Sequence, residues 1–330
     1  MKNGYFILPS LLLCCFFGCS KTGNNPPPRG MSYTTSDATA TCTAVTGDVE
    51  SMQIFPVDNP WNQDISKAKI DTFSKQIIAK ISTSVLKADF GSGLWDNAPI
   101  GIPFMVVCGT QPKAYVTFRA NSYDGNYGSE SDKGPYPIPA NAPIEGKGQG
   151  DSHVIVIDKD NKMLYELYNA SVSAGKWSAS SGAIFDLSSN KLRPAGWTSA
   201  DAAGLPIFPG LVRYGEVAKG AINHAIRFTL SSANVKPAYI YPARHKVNST
   251  GGVYSLPFGA RIRLKAGFNI SGYSPHNQII LRAMKKYGLI LADIGSNMYF
   301  SGMPESRWNN DDLHKLGQIA ASNFEVVSFH

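Results

Sequence analysis

The sequence is poor in charge, poor in cysteine and almost without long apolar runs. Charged residues make up 17 % of 330, against 43 % hydrophobic. That balance rules out wholesale disorder and supplies enough apolar side chain for a core. The formal net charge is +7, yet no cluster of Lys or Arg stands out. The electrostatic footprint of a nucleic-acid binder is therefore missing, and no nucleic-acid partner is expected. The surplus suits an acidic polysaccharide but selects nothing by itself. Composition argues equally against a coiled coil, a collagen-like chain and a multi-span membrane protein, and there is no internal repeat. No G-x-S-x-G elbow, P-loop or H-E-x-x-H motif occurs. No close pair of His has metal-ligand spacing, so no cofactor is expected. A two-His, one-carboxylate site of His153, His224 and Glu166 would need the fold to bring the three together.

What is present points to strands and export. Gly 31 and Pro 21 favour many short strands and turns, and 15 Tyr with 5 Trp suit a β-protein or a sugar-contacting surface. Lys2 followed by the apolar run from Phe6 to Phe17 reads as a signal segment too short to span a bilayer comfortably. Gly18-Cys19 resembles a bacterial lipobox. This predicts a lipoprotein signal peptide over 1–18, lipidation of Cys19, and an extracytoplasmic location on a bacterial membrane, periplasmic or at the cell surface. Residues 19–51, rich in Thr, Ser, Gly, Asn and Pro, read as a flexible tether. Residues 52–330 read as a single β-rich body, expected to be a monomer. Loss of Cys14 and Cys15 with the signal leaves Cys42 and Cys108 as a possible disulfide in an oxidising compartment.

Within the body, Phe73, Ile77, Ile78 and Ile81 form a helical stripe over 71–86, and 274–287 reads as a helix capped by Ser274 and ended by Gly288. A short helix is expected over 311–319. Strands are expected at 114–118, 153–157, 163–168, 222–230, 238–241, 260–265, 289–294, 298–300 and 324–327. Residues 121–150 form a long Gly/Pro/Ser/Asp-rich segment, a length usually reserved for function or mobility. The fold class is mainly β, an antiparallel sandwich (jelly-roll-like) or barrel with two or three packed helices.

The chemistry-bearing residues sit on these strands. In the 153–168 hairpin, Ile155 should face Glu166 and Ile157 should face Leu164, leaving Asp151, His153, Glu166 and Tyr168 on one face. Both faces are apolar, so Glu166 is a carboxylate in a partly buried setting, with His153 as its candidate partner. His224 alternates with Ile222, Ile226 and Phe228, and Arg227 lies on the other face. Arg244 and His245 follow a strand. Asp293 ends the strand 289–294 before Gly295. Asp201 is expected in the first turn of a helix, as are Asp311 and Asp312. Trp95, Trp177, Trp197 and Trp308 are candidates for sugar stacking, although core is the commoner use of Trp.

Several blocks resemble a family of secreted, mostly uncharacterised microbial proteins. They are Glu130 to Pro139, Ala142 to Gly146, Gly150 to Val154, Leu164 to Tyr168, Gly196 to Pro206, His224 to Phe228, Pro242 to His245 and Ala292 to Ser296. The resemblance covers nearly the whole body. It implies a secreted single body and carries no activity with it. From the residues, the first expectation is a glycoside hydrolase acting on a polysaccharide or oligosaccharide, with Glu166 as acid or base, and Asp151 or Asp293 as partner. His153 and His224 stand as further catalytic candidates, and Arg227, Arg244, His245, Tyr168 and Trp197 as substrate contacts. The second is a polysaccharide lyase, in which Arg227 or Arg244 neutralises a uronate and a His or Tyr168 removes the proton. The third is a glycan-binding lipoprotein without catalysis.

Overall fold

Alternating side chains build the central hairpin. Strand Val154–Asp158 pairs antiparallel with Met163–Tyr168, with Ile155 opposite Glu166 and Ile157 opposite Leu164, the register the sequence predicts. Every residue of the first strand is buried, because its two faces meet two different cores. Ile155, Ile157 and Leu164 join the larger apolar cluster. Val154, Val156, Tyr165 and Leu167 join a smaller one around Tyr136 and Trp177. Ser181–Asp186 adds antiparallel on one side and Met105–Val107 parallel on the other, completing a four-stranded sheet.

The computed structural model describes residues 44–50, 52–119 and 127–329, within the unit Cys42–His330. The signal segment, the lipidation candidate Cys19 and Cys42 lie outside the described residues. Cys108 is disulfide-bonded. The chain is mainly β, with seventeen short strands and four α-helices among the described residues. The largest sheet has six strands, in the order Lys87–Asp89, Tyr299–Ser301, Ile226–Leu230, Leu289–Ile294, Arg261–Leu264 and Phe324–Val326. Pairing in it is mixed: Ile226–Leu230 runs parallel to Leu289–Ile294 but antiparallel to Tyr299–Ser301.

Helix Pro275–Lys286 packs behind this sheet. Ser274 caps it by accepting from the Asn277 amide, Pro275 occupies its first turn, and Gly288 follows at φ +73°. Its stripe of Ile279, Ile280, Ala283 and Met284 is buried. The second expected helix forms over Ser74–Ile81, burying Ile77, Ile78 and Ile81. Asp311 and Asp312 do lie in the first turn of Asn310–His314.

The strand expected at 238–241 forms earlier, over Val235–Tyr239, the helix expected over 311–319 is α only over Asn310–His314 and turns 3-10 after it, and three further expectations change. The 222–230 strand starts only at Ile226, because the preceding backbone is engaged elsewhere: the Ala225 amide donates to Trp61 O at 2.7 Å. Asp201 stands in a bend rather than a helix, with its side chain buried. The end of the tether belongs to the body: Thr46–Glu50 is a 3-10 turn, Val49 is buried, and Asp48 pairs with Lys159 at 3.0 Å.

Candidate functional site

Four strands of the six-stranded sheet each send one polar side chain to the same region. Arg227 comes from Ile226–Leu230, Asp293 from Leu289–Ile294, Ser301 from Tyr299–Ser301 and Asp89 from Lys87–Asp89. The register slips there: Phe228 pairs with Leu291 but Thr229 pairs with Asp293, leaving Ala292 as the extra residue. Such a bulge re-aims neighbouring side chains. It also leaves Ala292 O to accept from the Ala203 amide at 3.0 Å, which ties the bulge to the loop bearing Asp201.

That loop is held at almost every polar atom. Thr198 N donates to Glu130 Oε2 at 2.8 Å, and the Ser199 hydroxyl bridges Asp201 and Leu205 carbonyls at 2.9 and 2.5 Å. Ser181 Oγ donates to Ser199 O at 2.7 Å. Gly204 closes it at φ +70°, where a Cβ would stand 2.5 Å from Trp197 O, so only glycine fits. The result is a fixed position for Asp201. Its carboxylate accepts two bonds from Arg227, from Nε at 2.9 Å and Nη2 at 2.8 Å. Arg227 Nη1 donates to Ser301 Oγ at 2.5 Å, and its Nη2 lies 3.5 Å from Asp293 Oδ2.

Asp293 is the most perturbed carboxyl of this set. Burial pushes its carboxyl well above the ordinary range. The charge of Asp201 and a hydrogen bond with it push further the same way, against the opposing pull of Arg227. Two carboxyls this close to one guanidinium resist simultaneous ionisation. Asp201 is fully buried and committed to Arg227, whereas the Asp293 side chain keeps 20 % of its surface. Of the two, Asp293 carries both the raised carboxyl and the exposed surface.

A second buried pair stands beside it. His153 Nδ1 lies 2.5 Å from Glu145 Oε2, and Nε2 lies 3.0 Å from Ala200 O. Burial lowers the His153 pKa, but Glu145 outweighs it and raises the ring to about 9. For Glu145 burial works upward, and His153 overcomes it to hold the carboxylate below its usual value. With acceptors at both nitrogens, the ring is an imidazolium donating twice. It positions the Asp201 loop and is not a free base.

Between these groups opens a cavity of about 300 Å³. Its walls include Tyr127, Tyr168 and His245, its floor the 198–202 loop, and its lining carboxyls Asp151, Asp201 and Asp293. Asp151 is exposed, and its charge raises both Asp293 and Asp89. Asp89 keeps an exposed side chain but is crowded by protein. Desolvation pushes its carboxyl up, Arg227 opposes, and Glu145 and Asp151 add to the rise. Neither Asp89 nor Asp151 has an ion-pair or side-chain hydrogen-bond partner among the described residues.

The fold thus joins Asp151, His153, Tyr168, Arg227, His245 and Asp293, and separates the rest. Glu166, expected as acid or base, does not line the cavity. It is fully buried and accepts from the amides of Ile207 (2.9 and 3.0 Å) and Phe208 (2.9 Å). Desolvation raises it to about 7 against those amides. His153 pairs with Glu145 rather than with Glu166. His224 lies in another cluster, 3.2 Å from Glu216, which also binds Arg213 at 2.5 Å. Arg227 is 4 % exposed, bonded to Asp201 and Ser301, and does not line the cavity. Arg244 donates to Arg193 O at 2.8 Å, and Trp197 lies under the Arg193 guanidinium; neither lines the cavity. The three members of the two-His, one-carboxylate set do not converge. No metal-holding group of three or more His, Cys, Asp or Glu occurs among the described residues. Asp201, Glu145 and Asp89 were not anticipated. Asp201 and Glu145 stand in the blocks Gly196 to Pro206 and Ala142 to Gly146, the available signal; Asp89 carries none.

No family model, no curated protein and no solved structure matches the chain.

Proposed function

We propose that the protein is an extracytoplasmic, lipid-anchored glycoside hydrolase that cuts a neutral or basic polysaccharide in the Asp293 cavity. The observation that carries this reading is the pairing of a carboxyl pushed well above its usual range, Asp293, with a solvent-exposed one, Asp151, in one Tyr-walled cavity. Glycosidic cleavage needs both: a carboxylic acid to protonate the leaving oxygen and a carboxylate to activate water or attack carbon. Asp293 serves as the acid. Asp151 serves as the base or nucleophile, and Tyr127 and Tyr168 offer faces to the sugar rings. Arg227 and Asp201 set the proton on Asp293 without touching substrate.

Charge favours this over the lyase. Five carboxyl groups, Asp89, Glu145, Asp151, Asp201 and Asp293, face one guanidinium and one imidazolium. A uronate entering here meets uncompensated carboxylates and no free Arg.

The test is mass spectrometry of products after incubating the protein with neutral, amino-sugar and uronate polysaccharides. Hydrolysis adds one water per cut, on neutral or amino-sugar polymers. Asp293→Asn and Asp151→Asn each lower kcat by roughly 100-fold or more while the fold is retained. Unsaturated products establish a lyase, and binding without cleavage a glycan-binding protein; either result removes this reading. Loss of palmitate labelling in Cys19→Ala checks the anchor.

A further inference from the structure

Among the five tryptophans, one is used for nothing inside the molecule. Trp61, Trp177 and Trp308 are buried, and Trp197 is half-buried beneath Arg193. Trp95 is 79 % exposed, next to Leu94 at 61 %. Leaving an indole in water forgoes the stabilisation its burial brings, and with Leu94 beside it the hairpin exposes two adjacent large apolar side chains, a candidate contact surface.

The hairpin that carries it is tied down along its backbone. Leu94–Trp95 pairs antiparallel with Ala98–Pro99, Trp95 opposite Ala98. The two turn residues Asp96 and Asn97 have φ 49° and 63°, the two-residue turn that suits a tight hairpin. Its base is fixed by Gly91 N to Ile100 O at 3.0 Å and by Asn310, which bonds both Ser92 N and Ser92 O at 2.9 Å.

Both legs of the hairpin root in the candidate site. The first leaves the strand that ends at Asp89, six positions from Trp95. The second packs on the Glu145–Gly148 turn, which supplies the partner of His153. It then bonds, through Ile102 N, to Gly302 O at 3.0 Å, beside Ser301. Six extended residues reach at most about 20 Å, the scale of a short oligosaccharide.

We propose that the Leu94–Trp95 tip is an outlying sugar-stacking subsite for the glycan chain that enters the Asp293 cavity. This extends the hydrolase reading. An exposed indole followed in the turn by Asp96 and Asn97 joins an apolar platform to adjoining hydrogen-bonding residues, the combination a pyranose ring requires. The same Asp96 at the tip disfavours a bilayer, where a carboxylate loses hydration and meets anionic headgroups.

The experiment uses the full chain, its Trp95→Ala and Trp95→Phe variants, and neutral β-linked and amino-sugar ladders from disaccharide to octasaccharide. Tryptophan fluorescence should shift to the blue with long oligomers, and the shift should vanish in Trp95→Ala. KM for the longest oligomers and polymer should rise roughly 2- to 10-fold in Trp95→Ala. Disaccharide kinetics should stay unchanged, and Trp95→Phe should recover most of the loss. Cleavage with no length-dependent loss in Trp95→Ala overturns the subsite and leaves the hydrolase. Trp95-dependent binding of long glycans without cleavage overturns the hydrolase and keeps the platform. A blue shift with phosphatidylglycerol vesicles but not with any glycan overturns the subsite in favour of membrane contact.

Discussion

Asp293 and Asp201 are both aspartates on one guanidinium, and their difference in exposure assigns their roles. Asp201 is sealed under its loop and held by two bonds from Arg227; the Asp293 carboxyl is pushed up because burial and the Asp201 charge both resist its ionisation. An acid raised in this way is competent below its raised pKa and loses its proton as pH climbs through it, so activity should fall on the alkaline side. Removing the Asp201 charge lowers the Asp293 pKa. In Asp201→Asn the alkaline limb of kcat should therefore move to lower pH, and the protein should lose about 3–5 kcal/mol of stability as Arg227 loses its buried partner. Unfolding titrations and a pH–rate profile read the two effects separately. An unmoved limb would take the acid role away from Asp293.

The elements explain why the most conspicuous carboxylate does not line the cavity. Glu166 faces the larger core from the centre of a hairpin covered on both sides, and the 3-10 turn Phe208–Gly210 places its first amides on that carboxylate. It works as a cap for a turn that no side chain of its own caps. Glu166→Gln replaces one acceptor oxygen by an NH2 group facing backbone amides. It should cost roughly 1–3 kcal/mol in urea unfolding and leave the pH–rate profile unmoved. A shifted profile with unchanged stability would return Glu166 to the chemistry. The register of this hairpin was legible from alternation alone. The strand at 222–230 was not, because Trp61, distant in sequence, takes the amide that a longer strand would use.

For the whole molecule, two buried ion pairs bound the pH range of stability from opposite sides. Arg213 and His224 overcome the desolvation of Glu216 and hold its pKa at about 2. A folded pKa below the unfolded one gives stability that is full above about 4.5 and is lost as pH falls toward 2. His153 is the reverse case: with a folded value of about 9, its contribution is full below about 6.5 and is lost as pH rises through 9. Each contributes roughly 3 kcal/mol. The raised Glu166 and Asp293 carboxyls add a further decline as pH climbs above about 4.5, so the melting temperature should peak near pH 5 and decline on both sides. Glu216→Gln should flatten the acid decline, and Glu145→Gln the alkaline one. Persistence of both declines in these variants would place the titrating groups elsewhere.

What the chain determined locally is the mainly β architecture, the central register, the Ser274-capped helix and the polar residues that interrupt apolar strands. These follow from periodicity, capping and composition, which act over a few neighbouring residues. Which of those polar residues meet was decided by tertiary structure. Asp201 and Arg227 are 26 positions apart, and Glu145 reaches His153 across a turn with no regular period. A bulge at Ala292 and a loop closed by Gly204 set their distances. Partner choice among buried charges depends on which elements enclose them, and that is a property of packing rather than of any local stretch.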